Sequence, residues 1–261
     1  MSMYENQGYV PAPAPEKTPA LTIWQSVLFS PSVETFARFR EQADLMRAVI
    51  WVAISGLVTG VAQAVVMATG GGRIGNMEQL RQILPEELAS ELPEMAAQAA
   101  PNIGAALCSV PAGAVGGVIG LFIGVGLIHL VAKLLQGQGT YTETFFLYAA
   151  AAAPIAIVLG IIQLIGGLFN LIPVIGPIFA ILVGLVSFVI GIYSLVLSAM
   201  AIAAAHRFSL GKGFAAALIP GAVILLSCCC ITGILIAVMG AAAPNIEELL
   251  EEMSALLTLV A

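Results

Sequence analysis

The chain has 261 residues, 60% hydrophobic and only 9% charged, with a mean hydropathy of +1.03. A water-facing globular surface takes roughly 25% charged residues, so a soluble domain is excluded and the composition is that of an integral membrane protein. Nine Lys and Arg against fifteen Asp and Glu give a net charge of −6, too little base to neutralise a run of phosphates, which excludes nucleic acid as a partner.

Residues 1–20 form a Pro/Ala-rich polar tail with Glu5 and Glu16 in place of a basic start and an apolar core. It predicts a disordered segment and no cleavable signal peptide, so the spans themselves direct insertion. Residues 21–47 form a leader. Leu21 to Phe29 is apolar with a Trp, and Ser30-Pro31 reads as an N-cap with Pro at the first helical position. Val33, Phe36 and Phe39 beside Arg38 and Arg40 then have the composition of a helix resting at a membrane surface, with a plain helical lead into the first span as the alternative.

Crossing about 30 Å of hydrocarbon takes about 20 apolar residues. Five segments qualify, at about 48–68, 103–135, 145–168, 178–205 and 214–239, each bounded by Gly, Pro or charge. The class expected is therefore all-α, a polytopic membrane protein with five transmembrane helices. Pro154 and Pro220 fall inside the third and fifth spans, where each allows a kink. Between the first two spans, residues 69–102 form an acidic outer loop. At the C-terminal end, residues 241–261 read as an amphipathic acidic helix opened by an Asn245/Glu248 capping box.

Lys and Arg near spans are retained on the cytoplasmic side. With the N-terminus inside, Lys17, Arg38, Arg40, Arg47, Lys133, Arg207 and Lys212 lie inside and only Arg73 and Arg81 outside. The orientation expected is N-terminus inside, C-terminus outside.

Helices in lipid associate through close approach at small residues. Gly56 and Gly60 in the first span, Gly116, Gly120 and Gly124 in the second, and Gly184 and Gly191 in the fourth form stripes that serve intramolecular packing or, in a sharper reading, a homo-oligomer seam. Between Glu94 and Glu247 the sole carboxylate is Glu143. It falls with His129, Lys133, His206, Arg207 and Lys212 at the inner ends of spans, with Tyr148 close by. Glu143, His129 and Lys133 are expected to converge, because the Gly137-Gln138-Gly139 turn makes the second and third spans antiparallel neighbours. Three accounts of this cluster stand: snorkelling bases with one ion pair that fixes helix ends; a cytoplasm-facing site for a lipid headgroup or a protein partner; and a pathway for an ion or small molecule, against which no acid lies mid-membrane. No paired carboxylates, metal-ligand spacing or phosphate-binding loop occur, so neither catalysis nor a cofactor is expected. Cys108, Cys228, Cys229 and Cys230 fit neither a disulfide framework nor a zinc spacing.

The first inner hairpin, Ala132-Lys133 through Gln136-Gly137-Gln138-Gly139-Thr140-Tyr141 to Tyr148 and Pro154, resembles the signature of the Yip domain family, the five-span Ypt/Rab-interacting membrane proteins. His206-Arg207-Phe208-Ser209-Leu210-Gly211-Lys212 is similar to the family's His-x-x-Ser element, and Leu28-Phe29-x-Pro31 with Phe36 to its leader. The resemblance covers roughly residues 26–240. It implies a cytosolic N-terminus, an extracytoplasmic C-terminus and, in eukaryotic members, work with small GTPases in vesicle trafficking. Here the Asp-Leu-Tyr-Gly-Pro motif before the first span is absent and the Gly-Tyr pair reads Leu147-Tyr148. The resemblance is thus to a prokaryotic-type member in a cytoplasmic membrane, whose function is to organise membrane lipids or recruit a partner without catalysis.

Overall fold

The computed structural model describes residues 18–69, 103–169, 171–172, 175–223, 226–227 and 230. All regular elements among them are helical: α1 (Ala20–Phe29), α2 (Val33–Phe39), a 3-10 turn (Arg40–Gln42), α3 (Leu45–Ala68), α4 (Ile103–Leu134), α5 (Tyr141–Phe169), α6 (Ile175–His206) and α7 (Leu210–Val223). Four are long and apolar enough to cross a membrane, namely α3, α4, α5 and the Phe179–His206 part of α6. Nearly all of the acidic loop, the whole of 241–261 and half of the fifth span lie outside the described residues; α7 is the shorter apolar helix where that span begins.

Polar side chains at the helix starts move several boundaries. Ser32, not Ser30, caps α2, its hydroxyl accepting from the Thr35 N–H at 3.0 Å; Pro31 therefore precedes the cap. Asp44 caps α3 by accepting from the Arg47 N–H at 3.2 Å, so the first span starts a turn before residue 48. These side chains satisfy N–H groups that the first helical turn leaves unpaired.

The leader is built into the bundle. Ile23 and Val27 of α1 and Phe36 of α2 are fully buried, whereas Leu21 and Phe29 face outward. α1 packs against α5 and α2 against α6, and Trp24 meets Trp51 edge-on at 5.7 Å, with Phe146 behind at 5.2 Å. Such aromatic stacks bury large areas and fix ring geometry. α5 is the central element: Phe145, Phe146, Leu147, Ala149 and Ala150 are all completely buried.

α3 packs extensively against both α4 and α5, while α4 and α5 touch little. The reason is the backbone approach of α3 to α4. A Cβ at Gly56 or Gly60 would collide with the backbone of Gly113 or of Ser109 and Val110, and the Ser109 hydroxyl donates across the helices to the Gly60 carbonyl at 3.1 Å. Gly56 and Gly60 thus form a contact seam, but their partner on α4 is Gly113, with Gly117 alongside. Among the described residues a Cβ at Gly116, Gly120, Gly124, Gly184 or Gly191 would meet nothing within 4 Å, so the described helices make no close backbone approach at these five. Between α3, α4 and α5 remains a crevice of about 350 Å³.

Candidate functional site at the hairpin end

Both helical hairpins turn at the same end of the bundle. α4 closes with Gln136 in the left-handed region, φ 67°, while the Gly137 N–H reaches the Ala132 carbonyl at 2.9 Å and the Gln136 N–H the Lys133 carbonyl at 3.0 Å. α6 closes similarly, with Arg207 at φ 57° and the Phe208 N–H bonded to the Ala203 carbonyl at 3.3 Å. These are Schellman-type ends that satisfy the last carbonyls, each with a non-glycine residue where glycine is usual. The turns interlock: the Gln138 N–H donates to the His206 carbonyl at 3.1 Å, and a side chain at Gly137 or Gly139 would run into His206 or the Ala205 backbone.

α5 starts at this junction through a reciprocal cap. The Glu143 N–H donates to Thr140 Oγ1 at 3.2 Å, and Glu143 Oε2 accepts from the Thr140 N–H at 2.7 Å. The pattern Thr140-x-x-Glu143 is a capping box, a signal present in the sequence. Glu143 Oε1 lies 3.9 Å from Arg40 Nε, and Arg40 also donates through Nη1 to the Ala204 carbonyl at 3.2 Å, a cation on the negative end of α6. The carboxylate expected to converge with His129 and Lys133 therefore faces Arg40, because the cap turns it toward the leader.

His129 and His206 converge. His129 Nδ1 is 3.1 Å from Thr144 Oγ1, and His206 Nε2 is 3.0 Å from the same oxygen. The same oxygen lies 2.8 Å from the Thr140 carbonyl; with its proton given to that carbonyl, the tautomers that complete the set are those in which both histidine nitrogens donate to the hydroxyl oxygen. The two rings stand 5.0 Å apart; Phe208 stacks on His206 at 5.6 Å and Tyr141 meets His129 edge-on at 5.7 Å. His206 is buried, and its Nδ1 faces the Gly137 backbone with no hydrogen bond of good geometry among the described residues. Arg40 and Thr144, neither predicted from spacing, complete the arrangement.

Lys133, Arg207 and Lys212 lie outside this core and are exposed. Lys212 Nζ donates to the Leu135 carbonyl at 3.2 Å, and among the described residues neither Lys133 nor Arg207 faces a carboxylate. Tyr148 sits apart from the polar group, packed near Ile128, Ala132 and Ala216. Among the described residues no three or more His, Cys, Asp or Glu side chains gather as metal ligands would. Chemically, the site is a fixed polar hub ringed by exposed cations.

Several membrane-length apolar helices with their few charges at one end define an integral membrane helical protein. The Yip1 domain family matches residues 25–231, well over half of the chain, and the protein belongs to that family, one of non-enzymatic membrane proteins. No curated protein and no solved structure matches.

Proposed function

We propose that the chain is a five-span protein with its N-terminus in the cytoplasm, and that its hairpin end is a rigid cytoplasmic platform that gathers anionic lipid headgroups and so organises the surrounding membrane. The observation that carries this reading is the separation of charges at that end. The hairpins' own carboxylate, Glu143, is consumed by Thr140 and Arg40, which leaves Lys133, Arg207 and Lys212 exposed around a locked core, while the leader sets Glu34, Glu41 and Asp44 against Arg38, Arg40 and Arg47. Bases at a membrane interface attract anionic lipid, each by about 1 kcal/mol, and Arg in particular matches the geometry of a phosphate. Nothing in this arrangement relays charge across the bundle: the histidines, Glu143 and the bases all belong to one end.

The test is native mass spectrometry of the protein released from nanodiscs of mixed phosphatidylglycerol and phosphatidylcholine. The wild-type chain should retain phosphatidylglycerol preferentially, and replacing Lys133, Arg207 and Lys212 together by Gln should abolish the preference. Retention unchanged by the triple replacement, or specific ion or solute flux through liposomes carrying the wild-type protein, would overturn the reading.

A further inference from the structure

The leader both begins and ends at the hairpin end. At its start the Thr18 N–H donates to Gln42 Oε1 at 3.1 Å and the Thr18 carbonyl accepts from Arg47; at its close Arg40 reaches the Ala204 carbonyl and Glu143. Its middle lies far from both. Trp24 packs on Trp51, with Phe146 behind, and these stand about 10 Å into α3 from Asp44 and about 7.5 Å into α5 from Tyr141. Leu28 is further in: its carbonyl accepts from the Tyr193 hydroxyl, about 20 Å along α6 from His206. α1 therefore runs inward along the bundle, and α2 runs back beside α6.

The bend between them keeps its polar groups to the protein. The Ser30 N–H donates back to the Ser26 carbonyl at 3.0 Å, the Ser30 carbonyl accepts from the Thr35 hydroxyl at 2.9 Å, and Tyr193 takes up the Leu28 carbonyl. Pro31 has no N–H to satisfy. A loop in water can leave such groups to solvent, whereas irregular backbone at membrane depth persists only where the protein satisfies it. From Ala20 to Val33 there is no charge. The first, Glu34, is exposed about 9 Å before Arg40 along α2, within reach of headgroups. Beyond it lies the bend, with Phe29 82% exposed. The fifth span starts elsewhere: Gly213 of α7 closes on Ala199 and Ala203, about a third of a turn round α6 from Tyr193 and Ala204, which hold the leader.

We infer that α1 and α2 form a re-entrant wedge in the leaflet at the hairpin end, with the bend from Leu28 to Ser32 in hydrocarbon and the Phe29 ring against acyl chains. Both helices then stand along the bundle rather than lie on the membrane surface. α1 is about 15 Å long, the depth of hydrocarbon in one leaflet, so the wedge stays within that leaflet and adds its cross-section there alone. It requires only that the hairpin end lie at one face of the membrane, whichever face that is, and is independent of the headgroup preference proposed above.

The experiment uses the full chain in phosphatidylcholine vesicles, with Cys108, Cys228, Cys229 and Cys230 replaced by Ala and one nitroxide per sample on Leu21→Cys, Gln25→Cys, Phe29→Cys, Glu34→Cys or Arg38→Cys, all exposed positions. Power saturation with oxygen, which concentrates in hydrocarbon, and with a water-soluble nickel chelate gives the depth of each label, calibrated with lipids labelled along the acyl chain. The ratio of oxygen to nickel collisions should rise from Leu21→Cys to Phe29→Cys, several-fold, and fall again to Arg38→Cys, with Phe29→Cys at the depth of an acyl-chain carbon. Ser30→Cys, also exposed, repeats the central reading should Phe29→Cys fail to fold. With no anionic lipid present, the outcome does not depend on the fate of the platform. A profile that stays level at the value of Gln138→Cys in the hairpin turn would overturn the wedge and lay the leader on the surface. Labels at Phe29→Cys and Ser30→Cys shielded from both reagents would overturn the contact with lipid, because the fifth span or a second copy of the chain would then cover the bend.

Discussion

Thr144 is a small residue with a large electrostatic role, since one hydroxyl oxygen accepts from two imidazoles and its proton is spent on the Thr140 carbonyl. Thr144→Val keeps the shape and removes the one oxygen that both imidazoles share, stranding two ring nitrogens. It should lower stability in detergent by roughly 1–2 kcal/mol, the usual cost of unpaired buried groups tempered by the weaker values measured in membranes. Thr144→Ser should stay near wild type, and equal losses in denaturant titration of the two variants would refute the hydroxyl's role. Glu143 offers a second comparison. Gln can also close a capping box, so Glu143→Gln loses only the partly exposed contact with Arg40 and should cost under about 0.5 kcal/mol, whereas Glu143→Ala also opens the cap and should cost on the order of 1 kcal/mol. A larger loss in Glu143→Gln than in Glu143→Ala would show that the charge, not the cap, governs this residue. The charged members of the site were legible in the sequence because ionisable groups are so scarce there. Their pairing was not. Arg40 lies far from Glu143 along the chain, and Thr144 is marked by neither charge nor motif.

At the scale of helices, the ends and the seams decide stability. Gln136 pays for its left-handed backbone where a glycine would not, so Gln136→Gly should raise the melting temperature, by a gain of about 0.5–1 kcal/mol; a decrease would mean that the Gln136 side chain contributes more than its backbone strain costs. The glycine stripes allow a paired test with opposite signs. A methyl at Gly60 meets the α4 backbone, and Gly60→Ala should destabilise by roughly 1–3 kcal/mol. Gly120→Ala meets nothing within 4 Å and should stabilise a lipid-free preparation by up to about 1 kcal/mol through helix propensity alone. Equal effects from the two would contradict the placement of the α3–α4 seam. Apolar run length sufficed to read the four described spans, because without charge or breakers such runs have no alternative in lipid. Their first turns were read late: Asp44 and Thr140 extend α3 and α5 toward the hairpin end by capping, and a threshold on apolarity passes over a polar cap. Spacing by four could not distinguish Gly113 and Gly117 from Gly116, Gly120 and Gly124, since both sets lie on one helix a residue or so out of phase, and only the crossing of α3 selects between them.

For the whole molecule, the insertion of α3 between α4 and α5 has a consequence for topology. A tight hairpin fixes that α4 and α5 run antiparallel, but the helices it joins can diverge, and here they meet chiefly around Tyr141, whose hydroxyl donates to the Phe122 carbonyl at 3.0 Å. The α4–α5 and α6–α7 turns are held together by the bond from Gln138 to the His206 carbonyl, and Arg40 joins the leader to that end through Ala204 and Glu143. Leader and both turns therefore share one end of the bundle, and that end carries Arg38, Arg40, Arg47, Lys133, Arg207 and Lys212 against Glu34, Glu41, Asp44 and Glu143. The bias of Lys and Arg is what supports the proposed cytoplasmic placement of that end. If the fifth span then completes its crossing, the segment after it emerges on the opposite face. In a background lacking Cys108, Cys228, Cys229 and Cys230, Ser254→Cys should react with an impermeant maleimide added outside intact cells, whereas Ser2→Cys and Gln138→Cys should react only after permeabilisation. Outside labelling of Gln138→Cys would reverse the orientation. Labelling of Ser254→Cys only after permeabilisation, with Gln138→Cys protected as well, would leave the platform cytoplasmic but return the chain to the inner side with four crossings, and α7 would then be a re-entrant or interfacial helix.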